Sequence, residues 1–422
     1  VKLASLICQH RALLILDGLE PLQHPPGPMS GILRDKGLAS LISQLAVNNQ
    51  GLLLISSRQA VTELENKDEP QVIQHPLAPL SAQEGIALFR DQGIIGTDEE
   101  LAATVEAYGG HALSLRLLAT YLRKYEKKEI RRQDGLRSLI DRKEKLATNR
   151  HAFGVMAAYE RQLTNTEELH LLYSLGLFDR PVSRKTLAYL RQAGIEQLDG
   201  VRPGLLGKLR TIFQGPGKGQ PTCLPGDTEF DATCEQLRSL GLLNKEDPAH
   251  PHTLDCHPLV RQYFGQRLQQ RYPSSWQQAH ARLYQYFKDL PSKEQPDTVA
   301  EMEPLFAAIR HGCAANLHQK ALDEVYWPRI KRENEHYLTK KLGAFAADLA
   351  CITHFFAAPW QTPASGLTDT DKALVLNGAA TRLRALGRLH EATEPMAAGL
   401  KLRVEQGGWK GAALDASNLS EL

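Results

Sequence analysis

The sequence predicts an α/β sheet at its amino end followed by a long, predominantly α remainder. Two short apolar runs, Ala12 to Leu16 and Leu52 to Ile55, break off into Asp17-Gly18 and Ser56-Ser57-Arg58. Continuous runs of this length suit strands buried on both faces of a parallel sheet. Between them, Gly37 to Val47 places Leu38, Leu41, Ile42 and Leu45 at helical spacing, which gives the order strand, helix, strand. After Pro79 the apolar spacing is almost entirely helical, and toward the carboxyl end it begins to repeat.

Composition narrows the classes. With 422 residues, and domains of roughly 100 to 200 residues, two to four domains are expected. A net charge of +2 argues against a chain that works mainly as a polycation on nucleic acid. Six cysteines without a C-x-x-C pair make no disulfide framework and fit a reducing cytoplasm. No apolar run approaches the roughly 18 to 20 residues of a membrane span, and no signal-peptide pattern opens the chain. The start at Val1 and the stop at Leu422, inside an amphipathic segment, lead us to expect a fragment.

The elements follow in order. Pro76 and Pro79 break the chain, and Ser81 with Glu84 opens a helix carrying Ile86, Leu88 and Phe89 through a capping box. Thr97 and Glu100 repeat that signal, and the pattern runs through Leu101, Val105 and Tyr108 to Gly109-Gly110. A further helix runs from His111 to about Lys128, and the charge-rich residues 130–150 are expected to link two units. Thr164 to Phe178 is an apolar helix, Ser183 caps another that runs to Leu190, and Gly215 to Asp227 is a Gly/Pro-rich loop. Leu237 to Leu243 with His252 to Leu259 suggests a helix, a short hairpin and a helix start, the order of a winged helix. From Trp276 onward helical pairs recur. Asn377-Gly378-Ala379-Ala380 is echoed 41 residues on at Asn418, and Gly387 to Ala392 echoes Ala315 to Ala321. These resemble tetratricopeptide units of slightly long period.

The sharpest chemistry lies at the strand ends. Asp17 is a carboxylate at the carboxyl end of a strand, where ligands of open α/β sheets sit. There it could hold Mg²⁺ through water, with Glu20 polarising an attacking water or sensing a terminal phosphate; the plainer alternative is that Asp17 caps the next turn. Arg58, after the neighbouring strand, has a planar fork suited to a γ-phosphate, or is a surface arginine.

Five segments occur together in one order: the apolar run to Asp17-Gly-Leu-Glu20; Leu52 to Arg58; Leu77-Ala-Pro-Leu-Ser81 with Leu88-Phe89; Gly109-Gly-His111-Ala112-Leu-Ser-Leu115; and Cys256-His257-Pro258-Leu-Val-Arg261. In order and spacing this resembles the signal-transduction ATPases with numerous domains, in their bacterial NB-ARC-like branch, over about residues 10–270. The resemblance implies a P-loop NTPase α/β portion with a parallel sheet (1–75), a helical subdomain (76–145), a winged helix (146–272) and a tetratricopeptide-like solenoid (273–422). It implies ATP/ADP and Mg²⁺ as cofactors. Asp17 and Glu20 would then be the catalytic acids, Arg58 a phosphate sensor, His111 and Ala112 the adenine-side turn, and His257 the latch on the β-phosphate of ADP.

The chain departs from the family pattern at three points. Ala112 replaces a proline, Pro258 replaces an aspartate, and no G-x-x-x-x-G-K-[ST] loop is present. Gly217-Lys218 is no substitute, since Ile212 and Gly219 stand where a glycine and a hydroxyl are needed. The phosphate loop and an effector domain are therefore expected before Val1, and the fragment alone should bind nucleotide weakly or not at all.

The function implied is an ADP-off, ATP-on switch, in bacterial defence or regulatory signalling. Its repeats would bind a protein or small-molecule trigger, and its core would self-associate on activation. The competing reading is a nucleotide-independent interaction scaffold with a degenerate core. Direct nucleic-acid binding is not expected, because Glu160, Glu167 and Glu168 lie in the winged-helix region and no basic recognition helix is evident. His250, His252, Cys256 and His257 with Cys223 and Cys234 match no zinc spacing. The basic run from Arg123 to Arg132 is interleaved with Glu126 and Glu129 and reads as a solvated face. Tyr284, Tyr286 and Phe287 read as core.

Overall fold

In the computed structural model, helix α1 (Lys2–Cys8) leads into strand β1 (Leu13–Leu16), and helix α2 (Lys36–Val47) carries the chain across to β2 (Leu52–Ile55). The structure describes residues 2–19, 22–23, 31, 33, 35–57, 60–65, 71–133, 150–164, 166–192, 228–248 and 250–420. The strands are parallel, with Leu14 opposite Leu53 and Leu16 opposite Ile55. Asp35 caps α2 by accepting from Leu38 N at 2.6 Å.

One sheet face packs on a small core of Leu19, Leu33, Ile42 and Val61, joined by Leu64 of the short helix α3 (Thr62–Glu65). Leu13, Ile15, Leu52 and Leu54, on the other face, are each more than half exposed. Burial on both faces, expected from the unbroken apolar runs, is therefore seen on one face only. A parallel sheet needs helices on both sides, and among the described residues nothing covers the second.

The chain divides into two units: Val1–Pro76 with Pro291–Cys313 and His318–Leu422, and Leu77–Leu290 with Ala314–Leu317. The second unit begins with α4 (Ala82–Asp91), α5 (Asp98–Ala107) and α6 (Ala112–Tyr125). Both predicted capping boxes form: Ser81 N donates to Glu84 Oε2 at 2.8 Å and Thr97 N to Glu100 Oε2 at 2.9 Å. Helix α6 stops short of the expected Lys128, because Lys127 and Lys128 take left-handed backbone angles.

Then come α7 (Arg150–Gln162), α8 (Glu167–Leu175), β3 (Val182–Ser183), α9 (Arg184–Gln192), α10 (Thr228–Ser239), β4 (Thr253–Leu254), α11 (Pro258–Arg271) and α12 (Pro273–Asp289). One core joins them, with Phe89, Leu118, Met156, Tyr159, Leu172, Leu237, Phe264 and Leu283 among its members. The expected local hairpin takes a different form. Strand β4 pairs antiparallel with β3, Val182 opposite Leu254, while Asn244 and Asp255 close the base of the intervening loop through Asn244 N to Asp255 O at 2.8 Å. A long-range partner of two residues leaves no local sequence signal. Helices α8 and α11 approach closely at Gly176 and Gly265, where a Cβ on Gly176 would lie 2.4 Å from Gly265 N. Of the expected linker over 130–150, residues 134–149 lie outside the described residues, as does the loop over 215–227.

The rest of the first unit is helical: α13 (Val299–Ala314), α14 (His318–Ala321), π-helical turns over Leu322–Lys331 and Tyr337–Lys341, and α15 (Phe345–Thr353). After the short pair β5 (Phe356–Ala358) and β6 (Thr362–Pro363) come α16 (Asp369–Ala385), α17 (Leu389–Glu405) and α18 (Trp409–Ser420). The two turns between these last helices are alike. Arg388 N bonds Leu383 O at 2.9 Å across left-handed Gly387, and Gly408 N bonds Arg403 O at 2.8 Å across left-handed Gly407. Asn377 on α16 and its echo Asn418 on α18 thus occupy alternate helices of one stack. Buried Asp415 ties all three, accepting from Asn377 Nδ2 and lying 3.1 Å from Arg403 Nε.

Candidate functional site

Parallel pairing of β1 and β2 brings their carboxyl ends side by side, and this places Asp17 beside Ser56. Ser56 Oγ donates to Asp17 Oδ1 and accepts from Gly18 N at 2.9 Å. Leu19 N adds a bond to Ser56 O at 3.1 Å, so the turn after β1 is stitched to the end of β2. Gly18 sits at φ +69°, a conformation that suits glycine, and it turns the chain sharply away after the carboxylate. Behind this pair, buried Gln23 accepts from Ser57 Oγ at 2.6 Å and donates to Ala60 O at 3.0 Å. Asp17 is exposed at the sheet end where ligands of open α/β sheets bind, and an exposed, anchored carboxylate fits a water-mediated contact to a hard cation. Glu20 and Arg58 lie outside the described residues.

The other candidate residues belong to the second unit. His111 caps α6: Ser114 N donates to its Nδ1 at 3.3 Å, and Ser114 Oγ lies 2.8 Å from the same atom. The two glycines before it are both at φ +62°. Gly110 is pressed against the Pro79-Leu80 segment, with Leu80 N donating to Gly110 O at 2.8 Å. Two of the five sequence segments are therefore in direct contact.

His257 caps α11 in a similar way, its Nδ1 accepting from Leu259 N at 3.1 Å. A neutral imidazole that accepts at Nδ1 carries its proton on Nε2. Ala112 and Pro258, two of the three departures from the pattern the sequence resembles, stand at the first residue of the helices their histidines cap. Proline is favoured there, because the N–H it lacks has no partner inside the helix. Arg261, from the same segment, is buried: its guanidinium binds Asp255, Arg180 O and, at 3.3 Å, Cys256 O.

Glu160 does more than its sequence position announces. Counted there among the charges of the winged-helix region, it is a buried hub that accepts from Tyr173 Oη and Tyr263 Oη at 2.7 Å each and from Arg267 Nε at 3.0 Å, with Arg271 Nη1 3.1 Å away. Burial, reinforced by Glu160, pushes both tyrosine hydroxyls well above their ordinary value. The groove beside α9 and α10 is of mixed charge, its Arg184 paired with Asp231 and its Arg238 with Glu235. Cys234 and Cys256 are core residues, and burial raises the Cys234 thiol to about 11 and the Cys256 thiol to about 12. Among the described residues no cluster of three His, Cys, Asp or Glu side chains could hold a metal ion. Arg123, Lys124, Lys127, Lys128 and Arg131 are exposed, Arg131 pairing with Glu100 at 2.6 Å. Tyr284 is buried. No described helix is long and apolar enough to cross a membrane.

No family model matches the chain, and no curated protein matches it. Among solved structures it is similar to a signal transduction ATPase with numerous domains that carries a tetratricopeptide repeat sensor, from Pyrococcus horikoshii. The identity is 15% and the TM-score 0.44, over 96% of this chain and 52% of that one. The chain thus spans about half the length of the structure it matches.

Proposed function

We propose that the chain is part of a nucleotide-operated signalling switch, off with ADP and on with ATP, whose helical repeats sense a trigger and control self-association. The observation that supports it best is Asp17, an exposed carboxylate anchored by Ser56 at the carboxyl end of a parallel strand pair. In this reading Asp17 orients the hydrated Mg²⁺ of bound ATP. Glu20 and Arg58 act on the terminal phosphate, while His257 offers its Nε2–H to the β-phosphate of ADP. His111 and Ala112, at the start of α6, form the adenine-side turn. A trigger opens such a switch only by binding the open state more tightly than the closed one. The process served would be bacterial defence or regulation in the cytoplasm.

The test is to purify the complete protein, denature it and quantify the released nucleotide. Near-stoichiometric ADP supports the switch. A folded, monodisperse sample without nucleotide moves the assignment to the interaction scaffold, a reading that the stacked helices α16 to α18 would serve equally well.

A further inference from the structure

Behind the strand ends that carry Asp17 lies a buried amide. Gln23 keeps only 1% of its surface exposed, and its side chain reaches three separate residues on two stretches of chain. Its Nε2 donates to Gly31 O at 3.1 Å and to Ala60 O at 3.0 Å, while its Oε1 accepts from Ser57 Oγ at 2.6 Å. Its backbone forms an antiparallel bridge with Leu33, whose N–H donates to Glu63 Oε1 at 2.9 Å. One side chain thus ties residues that follow β1 to residues that follow β2.

The two stretches meet closely where Gln23 joins them. Gly31 sits at φ +83°, and a Cβ there would lie 2.5 Å from Ala60 O and 2.9 Å from Thr62 Oγ1. From this junction a short path leads to the carboxylate. Gln23 holds Ser57, Ser57 follows Ser56 in the chain, and Ser56 Oγ donates to Asp17 Oδ1. Leu19 N, donating to Ser56 O at 3.1 Å, fastens the same serine to the turn after β1. The path from Gln23 to Asp17 therefore consists of hydrogen bonds and a single peptide link.

Stability alone does not call for a glutamine here. Burying an amide costs desolvation that its hydrogen bonds roughly offset, so an apolar side chain of equal volume would fill the space as well. What a well-bonded buried polar group adds is a unique geometry. The three bonds of Gln23 fix where the end of β2 stands relative to the chain that leaves β1.

We propose that Gln23 is the positioning residue of the nucleotide site, holding the end of β2 so that Ser56 presents the Asp17 carboxylate at the angle a hydrated Mg²⁺ requires. This rests on the function proposed above and adds to it the residue that sets the metal-facing geometry. Gln23 is buried and acts through Ser57 and Ser56, not on the ligand.

The experiment is titration of the complete protein, stripped of bound nucleotide, with fluorescent ATP in the presence and absence of Mg²⁺. The quantity read is the gain in affinity that Mg²⁺ brings, which a loss of stability alone does not move. Gln23→Met keeps the volume and removes the amide. It should reduce the Mg²⁺ gain about fivefold and leave the Mg²⁺-free affinity within about twofold. Ser57→Ala, a milder change, should reduce the gain about threefold, and the double variant should be no worse than Gln23→Met, because both act along one path. An undiminished gain in Gln23→Met, or in Ser57→Ala where Gln23→Met does not fold, overturns the positioning role if Asp17→Asn abolishes the gain. Losses that multiply in the double variant overturn the path through Ser57. An undiminished gain in Asp17→Asn overturns the nucleotide site itself and the inference with it, so the two failures are told apart.

Discussion

Ser56 donates its hydroxyl to Asp17 across the ends of two parallel strands and accepts the Gly18 N–H with the same oxygen. The carboxylate is thereby oriented without being neutralised. If Asp17 meets Mg²⁺-nucleotide, Ser56→Ala in the complete protein should weaken Mg²⁺-dependent ATP binding about fivefold, equivalent to about 1 kcal/mol for one hydrogen bond. Asp17→Asn should abolish the Mg²⁺ dependence. A fluorescent-ATP titration with and without Mg²⁺ checks both. Wild-type affinity in Asp17→Asn would remove Asp17 from the site.

Gly109 and Gly110 share the same left-handed backbone but differ in their neighbours. A Cβ on Gly109 would find nothing closer than His151 Nε2 at 3.8 Å, whereas one on Gly110 would meet Leu80 O at 2.4 Å. Gly109→Ala should therefore cost only the conformational penalty of about 1 kcal/mol. Gly110→Ala should cost more than about 2 kcal/mol, because it also separates Leu80 from its hydrogen-bond partner. Urea unfolding of the two variants measures the gap, and equal midpoints would contradict the packing described.

What the sequence revealed depended on the range of each signal. Ser81 with Glu84 and Thr97 with Glu100 are local patterns, and both capping boxes form as read. The apolar runs announced β1, β2 and their parallel order, because alternation with a helix is visible in one short stretch. The pairing of β3 with β4 was hidden, since the partners are two residues each and some 70 residues apart in the chain. The burial of Glu160 was hidden, because a glutamate is normally solvated and its tyrosine and arginine partners arrive from other helices. At the candidate site Asp17 was legible as a carboxylate ending an apolar run. The bond from Ser56 was not, because it needs the register of two strands.

The Glu160 hub makes a stability prediction with a pH signature. Glu160→Ala strands two buried hydroxyls and two arginines and should cost about 3–5 kcal/mol. Tyr173 and Tyr263 titrate above their ordinary value of 10.0, chiefly through burial. A group whose folded value is raised contributes stability that is fully present below its unfolded value and is lost as pH rises beyond it. Urea unfolding should therefore show a declining midpoint above about pH 10, with tyrosinate absorbance appearing together with unfolding. In the Tyr173→Phe, Tyr263→Phe double variant that alkaline decline should be reduced. An unaltered alkaline limb would mean that other groups govern it.

His257 serves two purposes in this reading, and they can be separated. Its Nδ1 caps α11 by accepting Leu259 N, while its Nε2–H is the donor assigned to the ADP β-phosphate. His257→Ala removes both, so a loss of ADP in that variant alone would not tell latch from cap. Asn is as good a cap residue and can accept the same N–H, but its shorter side chain does not place a donor where Nε2 stands. His257→Ala should lower stability by about 1 kcal/mol, and His257→Asn should restore most of it. Both variants should release ADP faster than the unmodified protein and raise basal signalling. ADP dissociation followed with a labelled nucleotide, beside thermal unfolding of the same samples, decides the matter. If His257→Asn retains ADP as the original does, the histidine is a helix cap and the latch lies elsewhere.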